Sequence, residues 1–303
     1  MKIAVVGTIN RDTILWPDGG KKESYGGLLY SVVSLALLAE KGTEIFPVAN
    51  LGQDVENPVK AILSCYPQIS LDGIRVVPQK NNHALLRYRS EGDREEVLEG
   101  GVPPLTSAQM APFLDADLLL VNFISGRDIS LETLKQVRDD TSATIYMDLH
   151  SLSLGVDRRG RRFWRQIPNW QEWVAQTDVI QVNRGEAQLL SGGEAESGED
   201  MLSFSRMVME AGPSILLITL GSEGSVMVVA PGGETKLERF SPHPPPVVRD
   251  TTGCGDVFLA AFVVEHARSG DPQKASRYAN KVAGAKCGLT GIEELEALRE
   301  LKA

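Results

Sequence analysis

The residues best suited to chemistry lie near the C-terminus, in Asp250-Thr251-Thr252-Gly253-Cys254-Gly255-Asp256. Two glycines in three positions free the backbone for conformations that a side chain would forbid. The apolar run that follows, Val257, Leu259, Ala260, Phe262 and Val263, has helical spacing. The stretch therefore predicts a tight turn opening a buried helix. The first N–H groups of such a helix lack intrahelical partners and carry the positive end of its dipole, which makes them an anion site. Asp256 stands at the edge of that site. Amides of Gly253, Cys254 and Gly255 around a phosphate, beside a carboxylate able to accept a hydroxyl proton, are equipment for phosphoryl transfer to an alcohol. Asp, Thr and Gly ahead of an apolar run also form an ordinary helix cap. These seven residues alone leave both readings open.

Other candidates sit at predicted strand ends, where open α/β sheets place ligands. Asn10 and Asp12 follow the first strand. One residue apart, they share a side of an extended chain and suit a pair of hydroxyl-binding groups, or else a simple turn. Gly26-Gly27 precede a long helix, where they let a ligand approach the backbone or simply make the turn. Asn122, Asp148 and His150 also fall at strand ends, and Asn122 and His150 are candidates for a substrate hydroxyl. His83 reads as a solvated strand residue. Arg158, Arg159, Arg161, Arg162 and Arg165 form a basic run near Trp164, Trp170 and Trp173. The run reads as a solvated face and the tryptophans as packing, against the alternative of a grip on a phosphorylated substrate or a partner.

The elements that must position these residues alternate. Residues 2–7 read as a buried strand, and 13–25, with Pro17, Gly19 and Gly20, as a small hairpin. Leu28, Val32, Leu35, Leu38 and Ala39 mark a helix running to about Lys41, with Gly42 as its C′ residue. A strand over 43–50 and a helix over 54–65 follow, Pro58 being tolerable in a first turn. Residues 73–77, 82–90 and 94–98 read as strands with polar faces, the last two joined by a Glu91-Gly92-Asp93 tip. With 13–25, residues 73–99 would build a small β-sheet lid over a site. Further strands are expected at 117–121, 144–148, 178–182 and 214–220, and helices at 131–138, 170–176, 186–190 and 200–211. Residues 191–199 read as a loop. Strands 226–230 and 236–240 are expected to be antiparallel edges, before helices near 254–269, 271–288 and 292–301. Such alternation predicts one α/β unit over 1–303, with a mainly parallel sheet covered on both faces.

The chain has 303 residues, 42% hydrophobic and 23% charged, with a net charge of −9. That balance disfavours nucleic-acid and anionic-membrane partners. Three scattered cysteines, Cys65, Cys254 and Cys287, indicate neither a disulfide framework nor a zinc site. The N-terminal apolar run is too short for a signal peptide, so a reducing cytoplasm is the expected setting. Walker-type, dinucleotide, zinc-protease and serine-hydrolase motifs are absent.

Taken together, the motifs resemble those of the ribokinase-like (PfkB-type) carbohydrate kinases. Asp250–Asp256 is similar to that family's D-T-x-G-A-G-D signature, with Cys254 in place of the usual alanine. Gly7 to Asp12 resembles the sugar-contacting strand end, and Gly26-Gly27 the pair that opens the substrate helix. Asn183-Arg184-Gly185-Glu186 matches N-x-x-E, Thr219–Gly224 matches T-L-G-x-x-G, and Asn280 resembles the late asparagine beside the nucleotide base.

The resemblance implies ATP-dependent phosphorylation of a hydroxyl on a small sugar, polyol or nucleoside. Asp256 would be the base, kept ionised by the helix terminus, and Gly253, Cys254 and Gly255 the anion hole. Asn10, Asp12, Gly26, Gly27, Ser31 and Asn122 would meet the substrate. Asn183, Thr219, Gly221, Gly224 and Asn280 would meet the nucleotide. Glu186 would hold Mg²⁺ through water. Similar enzymes often bind a monovalent cation such as K⁺ through carbonyls near Asp250 and the Cys287–Gly291 turn. In ribokinase proper the Gly-Gly is followed by Lys and Asn where this chain has Leu28 and Ser31, which puts a ribose clamp in doubt. The alternatives are a phosphosugar kinase, using Arg11, Lys21, Lys22 or the arginine run, and a catalytically inactive sugar-binding regulator. A nucleoside substrate would call for lid aromatics such as Tyr25 or Tyr88 in the pocket. An exposed lid sheet could pair its edges in a homodimer.

Overall fold

The computed structural model describes residues 1–89, 94–193 and 198–302. The expected tip at Glu91-Gly92-Asp93 and the middle of the 191–199 loop lie outside the described residues. In chain order the strands are β1 (Lys2–Val6), β2 (Ile9–Leu15), β3 (Lys21–Gly27), β4 (Glu44–Gly52), β5 (Ile74–Val77), β6 (His83–Tyr88), β7 (Arg94–Glu99), β8 (Leu118–Asn122), β9 (Thr144–Asp148), β10 (Leu154–Val156), β11 (Arg162–Trp164), β12 (Val179–Asn183), β13 (Ile215–Thr219), β14 (Ser225–Val229) and β15 (Lys236–Phe240). The helices are α1 (Leu28–Leu38), α2 (Glu56–Ser64), α3 (Ser107–Met110), α4 (Leu131–Asp140), α5 (Trp170–Val174), α6 (Arg184–Leu190), α7 (Gly198–Ala211), α8 (Cys254–Ser269) and α9 (Pro272–Lys286).

Nine strands form the central sheet in the order β15-β14-β13-β12-β9-β8-β1-β4-β5. Its pairings are parallel from β5 to β13, and β14 and β15 are antiparallel at one edge. The inner strands are apolar on both faces, as a sheet covered on both sides requires. Within β1, Ile3 and Val5 pack with α1 and α8, while Ala4 and Val6 pack on the opposite face with residues of α4 to α7. From β1 the chain builds outward to β4 and β5, and from β8 outward the other way. The β1/β8 boundary is therefore the switch point of the sheet, where its carboxyl ends leave a crevice.

A second sheet of four strands, β3-β2-β6-β7, stands beside that crevice. Its β2–β3 and β6–β7 pairs are antiparallel, and its central β2–β6 pair is parallel. Residues 74–77, expected in this small sheet, belong instead to the central one. They pair in parallel with Ala49–Gly52 of β4 after the α2 crossover. The basic run is exposed at Arg158, Arg159, Arg161 and Arg165, as expected, while the side chain of Arg162 turns inward. The run makes the β10–β11 hairpin, which meets β7 through a Val97–Arg161 bridge.

Helix α1 ends at Leu38, earlier than expected, because Ala39 is extended (ψ 156°). Gly42 (φ 87°) serves the following turn and not the helix end. Residues 293–301 form 3₁₀ turns where a helix was expected. Among the described residues, no helix is long and apolar enough to cross a membrane.

Candidate active site

The register of the central sheet sets the site. Asn122 and Asp148 end β8 and β9 side by side, and Asn183 and Thr219 end β12 and β13 side by side. All four follow apolar runs, so the sheet buries the strand and delivers a polar side chain at its carboxyl end.

Asn122 is fully buried. Its Nδ2 donates to Ser31 Oγ of α1 (2.9 Å) and to Asp256 Oδ1 of α8 (2.5 Å). Ser31 is also fully buried. Both residues were expected to touch substrate; the structure puts them behind Asp256, outside the cavity lining. Burial pushes the Asp256 carboxyl above its ordinary value, opposed by the charge of His150 and the Asn122 amide. Burial thus outweighs the helix terminus that was expected to keep this group ionised.

The turn ahead of α8 distinguishes an anion site from an ordinary cap. Gly253, at the N-cap, is left-handed (φ 77°), and no side chain among the described residues caps the helix. A Cβ on Gly253 would strike the Tyr30 ring. Asp250 Oδ1 accepts from Thr252 N (2.8 Å), one step before the helix, so the expected capping residues serve the turn alone. Cys254 N donates to Thr251 O at 3.2 Å.

Two cavities, each of about 340 Å³, meet at this turn, sharing Thr219, Thr251, Cys254 and Gly255 in their walls. The first extends over Gly221, Gly224, Phe258, Asn280 and Gly284. Asn280 is buried there, its Nδ2 donating to Ser225 Oγ (2.7 Å) and Ser276 O (2.8 Å). The second lies under the small sheet and is lined by Asn10, Asp12, Gly27, Asp148, His150 and Asp256. Asn10 Oδ1 is buried there with no hydrogen-bond partner among the described residues. Gly26 packs against the Asp12 carboxylate, where a Cβ would collide with it. Gly27 (φ 60°) lies against Thr8 O and Ile124. Asn183, expected on the nucleotide side, lines the second cavity.

Asn183 and Glu186 form a capping box at the start of α6. Glu186 accepts from Asn183 N (2.8 Å) and Asn183 Nδ2 (2.6 Å), and Glu186 N donates to Asn183 Oδ1 (2.9 Å). His150 Nδ1 stands 3.4 Å from Glu186 Oε1. Partial burial lowers the tendency of the half-exposed His150 to hold a proton, but Glu186, Asp148 and Asp256 outweigh it and raise its pKa. Asp148 is buried, and despite His150 its carboxyl is pushed up to about 8, with Glu186 and Asp256 adding repulsion. Gln181 Nε2 bridges Asp148 Oδ2 (2.9 Å) and Gly255 O (3.1 Å). Gln181 was not singled out from sequence; a lone polar residue inside the apolar run of β12 was its only signal. The three carboxylates suit a hydrated Mg²⁺, a hard cation that needs few protein oxygens. No compact group of three metal-binding side chains occurs among the described residues, so water and phosphate would supply most of its ligands.

The place expected for a monovalent cation is filled by this chain itself. Lys286, on the last turn of α9, is fully buried, with Nζ 3.2 Å from Asp250 O and 3.1 Å from Leu289 O. Asp250 Oδ2 lies 3.7 Å away. These carbonyls therefore do not fit K⁺ as the chain stands. Beside them, Cys254 and Cys287 bring their sulfurs within 3.3 Å. The shared hydrogen bond and burial push the Cys254 thiol well above its ordinary value.

The arginine run contributes one inward residue. Arg162 is buried, donating to Ser125 O (2.8 Å) and Ser151 Oγ (2.6 Å) behind the second cavity. Arg11 pairs with Glu23 (2.6 Å), and Lys21 with the same carboxylate (2.7 Å). His83 Nε2 lies 2.8 Å from Thr13 Oγ1 across the small sheet.

A family model described as pfkB family carbohydrate kinase matches residues 160–296. A cytidine kinase of Thermococcus kodakarensis is 25% identical over 270 residues, covering 88% of this chain and 89% of its own. The structure of Arabidopsis thaliana ribokinase complexed with ribose and ATP superposes with a TM-score of 0.78 at 21% identity, over 99% of this chain and 97% of that one. A sulfate complex of a pyrophosphate-dependent kinase in the ribokinase family superposes with a TM-score of 0.79 at 20% identity, over 98% and 100%.

Proposed function

We propose that this chain, similar along its length to the ribokinase-like (PfkB) carbohydrate kinases, is a phosphotransferase with an alcohol group as acceptor and transfers the γ-phosphoryl group of ATP to an unphosphorylated sugar or polyol. The observation that carries this reading is the meeting of two cavities at the Gly253–Gly255 turn, with Asp256 on the acceptor side. Nucleotide lies along Thr219–Gly224, Phe258 and Asn280. The acceptor lies between Asn10, Asp12 and Asp256. Asp256 orients the attacking hydroxyl and takes its proton late in the transfer. The uncapped N-terminus of α8 stabilises charge on the phosphoryl group in flight, which is electrostatic preorganisation. Mg²⁺, held through water near Asp148 and Glu186, would neutralise phosphate charge.

The lining of the acceptor cavity supports a neutral polyhydroxyl compound. Asp12, Glu96, Asp148 and Asp256 contribute to it, and no Lys or Arg does among the described residues. A phosphosugar would meet repulsion there. Tyr25 and Tyr88 are not in the lining, and Tyr30, which is, has its ring packed against Gly253 and Lys286, which weakens the case for a stacked nucleoside base. On the donor side, Val248, Phe258 and Ala283 offer apolar room that a base fills and pyrophosphate does not need.

The test is a thermal-shift and donor-consumption screen with sugars, polyols, nucleosides and their phosphates, using ATP or pyrophosphate with Mg²⁺. ATP-dependent turnover of a neutral sugar or polyol is expected. Turnover confined to phosphorylated acceptors, or to pyrophosphate, would overturn the reading. Tight sugar binding without turnover would favour a regulator.

A further inference from the structure

A lysine with no solvent exposure is rare and requires partners for its charge. Lys286 has them from two separate segments. Asp250 O and Leu289 O point at its ammonium at 3.2 and 3.1 Å, and the Asp250 carboxylate stands 3.7 Å away. The face of Tyr30 covers it, 5.6 Å from the ring centroid. The same Tyr30 ring packs against Gly253, the residue that turns the chain into α8. The Asp250 carboxylate also accepts from Thr252 N and, at 3.2 Å, from Gly291 N. One ammonium and one carboxylate thus staple the 250–253 turn to the 287–291 turn, directly beneath the start of α8.

We propose that Lys286 is a tethered internal cation that positions the Asp250–Gly253 turn and makes the enzyme independent of any monovalent metal ion. The inference rests on the kinase reading for its kinetic part. Two carbonyl dipoles and a carboxylate converging on one point repel each other unless a cation lies between them. A soluble ion can leave with falling concentration; an ammonium on the α9 backbone cannot. Its charge also favours the ionised form of Asp256. Lys286 touches no reacting atom, so its effect falls on the geometry of the turn.

The experiment compares wild type and Lys286→Met in buffers whose only monovalent cation is tetramethylammonium, then adds K⁺ at constant ionic strength. Wild type is expected to show no specific K⁺ effect on rate or melting temperature. Lys286→Met is expected to lose about 10–100-fold in kcat with little change in either KM, as displacement of a positioned group does. Added K⁺ should restore part of that loss and raise the melting temperature of the variant alone, by entering the vacated carbonyls. Lys286→Ala with ethylammonium as the rescuing cation provides a second variant. The thermal measurements need no turnover, so they decide the matter even if no acceptor is found. Specific K⁺ activation or stabilisation of wild type would overturn the proposal, as would unchanged kcat in Lys286→Met without K⁺. If neither variant folds, the wild-type comparison alone still decides it.

Discussion

The amide of Asn122 lies 2.5 Å from the Asp256 carboxylate and 2.9 Å from the Ser31 hydroxyl, joining the end of β8 to α8 and α1 through one Nδ2 group. The carboxylate proposed as base is therefore held from below, while its other side faces the acceptor cavity.

Asp256→Asn should lower kcat by roughly 10²–10⁴-fold, the range of a lost general base, and leave nucleotide affinity nearly unchanged. Wild-type kcat in this variant would refute the assignment. Asn122→Leu removes a bond that favours the ionised carboxylate, while burial still favours the neutral one. Because the base must be ionised, the acid limb of kcat/KM should move to higher pH, which a pH–rate profile measures.

Two glycines of the turn should fail differently. Gly253→Ala needs a left-handed alanine and drives its Cβ into the Tyr30 ring. It should destabilise the protein by about 1–3 kcal/mol or more, read as a lower melting temperature. At Gly255 the nearest atom to a new Cβ is Gln181 Nε2, at 3.6 Å. Gly255→Ala should therefore melt like wild type, and lose kcat if the phosphoryl group passes this turn as proposed.

Glu186→Gln keeps a residue type that capping boxes accept. It loses one of the two bonds from Asn183, a cost of about 0.5–1.5 kcal/mol. Folding should survive, while the Mg²⁺ concentration for half-maximal rate rises about 10–100-fold if Glu186 orders the metal's water shell. A Mg²⁺ titration of both proteins tests this.

Asp148 makes stability depend on pH. Its folded-state pKa, about 8, lies above the unfolded value, so the folded form holds more protons between about pH 4 and 8. Stability of the ligand-free protein should fall as pH rises through that window and level off above it. His150, also raised, adds a loss in the same direction at the upper end. Asp148→Asn should flatten the slope and raise the melting temperature at pH 8 by at least about 2–4 °C. An unchanged slope would remove Asp148 as its source.

The fold class was legible because apolar runs and turn glycines alternate at the right lengths, and each inner strand carries its own pattern. Depth was not legible. Asn122 and Ser31 read as polar residues near a ligand, yet the packing of α1 and α8 seals both behind the cavity. Lys286 looked like any basic residue of an amphipathic helix; only the convergence of Asp250 and Leu289 gives its burial a reason. Ile74–Val77 has the alternating polarity of a lid strand, but an edge strand of the central sheet has one open side and the same pattern. The β10–β11 hairpin was missed because its arginines mask a short strand whose partner, β10, forms a separate two-stranded sheet with it.

All eleven residues of α1 are buried, with no polar face to meet water. Its covering helix is α8, whose residues 257–265 are buried in turn. On the ribosome some 220 residues separate the two, or about 10–45 s at ordinary elongation rates. Through that interval β1 and β4 can cover one side of α1, while the side that α8 will cover stays apolar and open. Chains truncated before α8 should accordingly aggregate or occupy chaperones. The link between Asn122 and Asp256, 134 positions apart, then becomes one of the last contacts to form, so the turn ahead of α8 completes folding as well as the proposed site.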